Sequence, residues 1–245
     1  MPSVPKKWFF VYFRQRLENV KWLSAVQPDH KGSPAASFEP EQNILAGAEI
    51  DALARYWSIY ENRTFQRAAD RMAEFLATHG NARIWNKCSH ADLRGRAALL
   101  KTDTERQALE TVLIRLLPQS AAPIERMLSW RDDPDFVTVK SDAKLQNGGI
   151  PNKFLADSRY GAILYRCYRC AWVHELNPDD AIQTEEIIPW GQLARVQGED
   201  SPEPYYMARN HVRRLVIPAP FIIGTFEQVL DSFQRSVPDA ASMAL

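Results

Sequence analysis

Residues 159 to 180 read RYGAILYRCYRCAWVHELNPDD, a run that carries Arg159, Arg166, Arg169 and His174 with three tyrosines interleaved. Arginine is costly inside a core unless it is paired or faces a cavity, so several on one apolar stretch need a reason. Arg166 and Arg169 are three apart and rise from neighbouring points on one helix face. His174 follows Arg169 by five positions, roughly 140° further round a regular helix. The two side chains converge only if the helix kinks or ends between them, or if a second chain completes the site. Such a pair suits phosphodiester cleavage in RNA. Histidine can take the 2′-hydroxyl proton near neutral pH. Arginine's planar donor fork stabilises the charge that develops on phosphorus oxygens. That chemistry needs neither a metal nor a cofactor.

The helix that must present them is predicted over about 153–176, from apolar spacing at Ala162, Ile163, Tyr165, Cys170 and Val173. Asn177 and Pro178 close it. The segment Arg169-Cys170-Ala171-Trp172-Val173-His174 resembles the Arg-x4-His signature of the HEPN superfamily of all-helical ribonucleases. NILAGAEIDALARYW is similar to the small-residue helix that precedes the motif helix in those proteins. The resemblance implies a HEPN-like helical bundle and a homodimer in which Arg169 and His174 of each chain meet across the interface. It further implies RNA as substrate, Arg169 holding the scissile phosphate and His174 moving the proton. The products would carry a 2′,3′-cyclic phosphate. The setting implied is a toxin or phage-defence effector, with an antitoxin or defence-system protein as partner. Cys170 stands where that family usually has Asn, Asp or His. Leu176 stands where members paired with a nucleotidyltransferase antitoxin carry Tyr.

Other residues have a functional and a plain reading side by side. Arg166 is the expected helper at the phosphate, or pairs with Glu175, Asp179 or Asp180. Arg159 is a second substrate-binding candidate, or a solvated residue at a helix start. Tyr168, like Tyr165, is a stacking platform for a base or a core aromatic. Arg213 and Arg214, with Arg209 and His211, form a phosphate-contacting lip or an exposed polar loop. His174 itself could close a helix C-terminus as a satisfied buried histidine. Cys167, Cys170 and His174 share a helix face and invite a zinc site with Cys88 or His90. Structural zinc sites usually draw ligands from turns, and no second cysteine pair is present. A non-catalytic helical module that binds nucleotide, RNA or a protein remains the alternative function, and a zinc-stabilised regulator a third.

The 245 residues are long enough for a single helical domain spanning 1–245, and 45% apolar content supplies its core. Thirty basic and thirty acidic residues cancel, which excludes a general nucleic-acid coat but not a local basic groove. Three cysteines suggest a reducing compartment, and no run reaches bilayer-spanning length, so a cytoplasmic protein without a membrane segment is expected.

The expected fold is mainly α, with a small β-hairpin or short strands near the C-terminal third. Residues 6–26 are an amphipathic helix with Phe9, Phe10, Phe13, Leu17, Val20 and Leu23 inward. Further helices are expected over 41–60, 63–78, 103–117 and 121–130, with short turns over 81–102. The loop composition of 29–40 and the mixed pattern of 185–198 carry no regular element. FVTVK at 136–140 reads as a brief strand, Gly148, Gly149 and Pro151 as a turn. A hairpin is expected over about 203–218 and a C-terminal helix over about 219–236.

Overall fold

The computed structural model describes residues 3–25, 39–116, 128–170, 203–209, 212–239 and 241–244. Expectations that fall on His174, on 185–198, on 29–38 and on most of 121–130 lie outside those residues.

Four helices build the main core. Helix α1 (Lys6–Ala25) turns Phe9, Phe10, Phe13, Leu17 and Val20 inward at helical spacing, each almost fully buried. Helix α2 (Glu39–Tyr60) contributes Ala46, Ile50, Leu53, Ala54 and Trp57, all sealed from solvent. Helix α3 (Ala68–His79) begins after Arg67, carries Asp70 in its first turn and stops at Gly80, whose N–H returns to Leu76 O. Short helices α4 (Ala82–Trp85), α5 (His90–Gly95) and α6 (Asp103–Leu116) follow, α6 being the longest of the three. Then come α7 (Phe136–Lys140), α8 (Ala143–Asn147), α9 (Asn152–Asp157), α10 (Tyr160–Ile163) and α11 (Ala219–Ser236). α11 starts behind Pro218 and packs Ile222, Phe226, Val229, Leu230 and Phe233 against α1 and α2. A second apolar cluster fills the space between the short helices, with Leu93, Leu109, Val112, Leu113, Leu145 and Phe154 among its members.

Two antiparallel strand pairs complete the described residues. Strand β1 (Ser3–Pro5) pairs with β4 (Ser242–Ala244), tying the two ends of the chain together. Strands β2 (Tyr205–Arg209) and β3 (Val212–Val216) form the expected hairpin, with Tyr205 opposite Val216 and Arg209 opposite Val212. The fold is mainly α, as composition and periodicity predict.

Two expectations are corrected. FVTVK is helical, not a strand: Phe136 N–H bonds Asn86 O, Ser141 N–H closes on Val137 O, and only Val139 is buried. Tertiary placement overrides a weak β preference there. The motif helix is also not continuous over 153–176. Ser158 and Arg159 leave the helix, Arg159 at φ −66°, ψ 143°, because Tyr160 N–H bonds Lys87 O and Ser89 N–H bonds Ser158 O. An extended connector, Asn86 to Ser89, thus bonds Pro134–Phe136 on one side and Ser158–Tyr160 on the other.

Gly161, one residue into α10, lies against α3 so closely that an added Cβ would sit 2.6 Å from Ala73 Cα. Gly161→Ala is therefore expected to lower stability by about 1–3 kcal/mol, read from the denaturant midpoint. Gly95→Ala, where a Cβ meets nothing within 4 Å, should leave the midpoint unchanged or raise it.

Candidate active site

The surroundings of the motif segment are set by two buried acids. Asp133 is wholly inaccessible, and its carboxylate accepts four hydrogen bonds. Oδ1 takes the His90 backbone N–H at 3.1 Å and the His90 ring Nδ1 at 2.6 Å. Oδ2 takes the Tyr160 hydroxyl at 2.6 Å and the Tyr206 hydroxyl. Tyr206 Oη also lies 3.0 Å from Ser89 Oγ, and its ring packs 4.3 Å from that of His90. With Nδ1–H committed to Asp133, His90 Nε2 is a buried acceptor that meets no partner among the described residues. Burial pushes the Tyr160 and Tyr206 phenols well above the ordinary tyrosine value, and the Asp133 charge pushes them further.

Asp92 anchors the second network. It sits in the first turn of α5, whose N-cap Ser89 accepts the Asp92 N–H. Its Oδ1 takes Arg166 Nη2 at 2.5 Å, and its Oδ2 takes Ser158 Oγ at 2.7 Å and Arg96 Nη1 at 3.3 Å. Arg96 Nη2 continues to Asp157 at 3.1 Å, and Arg67 joins Asp157 to Asp70. Asp70, Arg67, Asp157, Arg96, Asp92 and Arg166 therefore alternate in sign, three carboxylates against three guanidinium groups. Arg166 is the end nearest the motif. The Asp92 side chain is 5% exposed and that of Arg166 30%, so the ladder surfaces as it reaches the motif segment.

From Leu164 to Cys170 the backbone is π-helical. A π-helix closes its hydrogen bonds from i to i+5, so residues five apart come to neighbouring points on one face instead of about 140° apart. Single π-turns inside helices are frequent at functional sites. Arg169 lies in this widened segment; its side chain and that of Tyr168 are not among those described. Arg213 and Arg214 stand on β3 opposite Ala208 and Met207, and β3 runs against α5, the helix that carries Asp92.

Arg159 differs from its expectation. It is 8% exposed, not solvated: Nη2 donates to Asn86 Oδ1 at 3.0 Å, and Cζ sits 4.7 Å over the Phe136 ring. Arg159 and Arg166 therefore bind separate acids, Glu74 and Asp92. For the zinc reading, burial pushes the Cys88 thiol well up, Sγ–H points to Leu155 O at 3.6 Å, and Nδ1 of His90 is held by Asp133, which leaves only the buried Nε2. Among the described residues no group of three or more His, Cys, Asp or Glu is arranged to hold a metal ion. Likewise, no described helix is long and apolar enough to cross a membrane.

No family model matches this chain, and neither a curated protein nor a solved structure does. Asp92, Asp133, Ser158 and Tyr206 escape sequence reasoning. Asp133 lies in the breaker-rich DDPD run, and none of its donors is near it in sequence.

Asp133→Ala would strand four buried donors and is expected to cost about 3 kcal/mol or more in urea unfolding. The raised phenol pKa values predict an alkaline limit. The unfolded chain releases its tyrosine protons near pH 10 while the folded one holds them, so this stability is intact below about pH 10 and is lost above it. A Tyr160→Phe, Tyr206→Phe double variant should show a flatter fall of midpoint with pH in that range.

Proposed function

We propose that the protein is a metal-independent endoribonuclease of the HEPN type, cleaving RNA by attack of the 2′-hydroxyl on the adjacent phosphodiester. Arg169 holds the scissile phosphate, and His174 takes the 2′-hydroxyl proton or returns one to the leaving 5′-oxygen. The observation that carries the reading is the Arg-x4-His segment beginning in a π-wound stretch of chain, in a mainly α protein. A π-turn continued through His174 would bring Arg169 and His174 to one side, which a regular α-helix does not.

The ladder ending at Arg166 supports the same reading. Its fixed charges would orient the motif segment without competing for the phosphate, because each guanidinium in it already meets an acid. Arg166 is thus a positioning residue in this proposal. Arg213 and Arg214, on the strand beside α5, would supply the lip that holds RNA. The family resemblance adds a cytoplasmic homodimer and a toxin or phage-defence role.

The test is incubation of purified protein with RNA in EDTA. Wild type should cleave, while His174→Ala and Arg169→Ala each lose at least about a hundredfold in rate. Equal activity of wild type and His174→Ala, or activity in neither, overturns the proposal. RNA binding without cleavage, unchanged by His174→Ala, would instead favour a non-catalytic binding module.

A further inference from the structure

Arg159 opens a separate question. A groove of about 570 Å³ is lined by Glu74, Thr78, Asn86, Phe136, Lys140 and Arg159, among others. That size suits a small organic ligand. The Arg159 side chain in its wall is only 10% exposed, and its ion pair and hydrogen bond to Glu74 are at the long limit for such contacts. Nη2 meets two neutral acceptors, Asn86 Oδ1 at 3.0 Å and Ala73 O at 3.4 Å. Nε is buried with no hydrogen-bond partner. The nearest anion is Glu74, 3.5 Å from Nη1 on a side chain 42% exposed. A guanidinium withdrawn from water normally requires a close anion. Lys140 adds a second cation, its Nζ 6.0 Å from the centroid of the same Phe136 ring that Arg159 covers at 4.7 Å. Phe136 and the outward-facing Val137 give the groove an apolar wall.

We infer that this groove binds a small phosphate monoester with an apolar or ring-bearing organic part. The phosphate lies between Arg159 and Lys140, displacing the Glu74 carboxylate from its long contact with Arg159, and the organic part rests against Phe136 and Val137. A phosphate monoester carries close to two negative charges at neutral pH and three acceptor oxygens, which matches two cations. A carboxylate would leave one of them uncovered. None of these residues belongs to the Arg169–His174 pair, so the inference does not depend on the ribonuclease proposal.

The test uses phenyl phosphate, titrated calorimetrically into the full-length protein beside inorganic phosphate and benzoate. Phenyl phosphate should bind saturably at one site, about tenfold tighter than either of the others. Lys140→Ala should weaken it about tenfold, and Glu74→Gln, which removes the competing rim acid, should tighten it several-fold. Both positions lie at the edge of the groove, so neither replacement empties the core, and His174→Ala should bind like wild type. Absence of saturable binding, benzoate binding as well as or better than phenyl phosphate, or indifference to both rim substitutions overturns the inference.

Discussion

A carboxylate sealed from water persists in a folded chain only if hydrogen bonds replace its hydration, and Asp133 is held on that condition. Its four donors come from the start of α5, the start of α10 and strand β2, segments far apart in sequence. Displacing any one of these segments strands the acid or its donors, so the interaction acts as a register. It aligns the hairpin, the extended connector Asn86–Ser89 and the turn of chain from which the motif segment begins. The apolar clusters supply the bulk of the stability. The buried acid adds a cost to any packing that leaves it or its donors unpaired.

Around that register the charges are arranged in two styles. The ladder from Asp70 to Arg166 is closed, every cation meeting an acid, and it runs from the start of α3 into the described motif segment. The Arg159 site is looser, with a buried cation lining a groove and its acid, Glu74, on the rim at 3.5 Å. The two arginines look alike in the sequence, seven residues apart on one run, and differ because Ser158 and Arg159 leave the helix. That break sends Arg159 toward Asn86 and Phe136, while Arg166 turns to α5.

What could be read beforehand follows the range of the interactions involved. The inward stripes of α1 and α11, the stop of α3 at Gly80 and the β2–β3 hairpin rest on neighbours three, four or two positions apart, and periodicity exposes such patterns. The helix break at Ser158, the helical state of FVTVK and the pairing of β1 with β4 rest on partners tens to hundreds of residues away. Local propensity carries no trace of them. The acids Asp92 and Asp133 were hidden for the same reason. An aspartate in a turn-rich run looks solvated until the tyrosine and arginine that reach it are placed. The cluster of arginines was visible, but which of them is neutralised was not, because Asp92 lies seventy-four residues before Arg166.

In the proposed reaction the adjacent 2′-hydroxyl is the nucleophile. The most direct measurement compares cleavage, in EDTA, of an RNA with the same sequence carrying 2′-O-methyl groups throughout, with product ends identified by mass. If the 2′-hydroxyl attacks, the unmodified strand yields 2′,3′-cyclic phosphate ends and the methylated strand stays intact. Cleavage of the methylated strand, or products ending in a free 3′-hydroxyl, would contradict it.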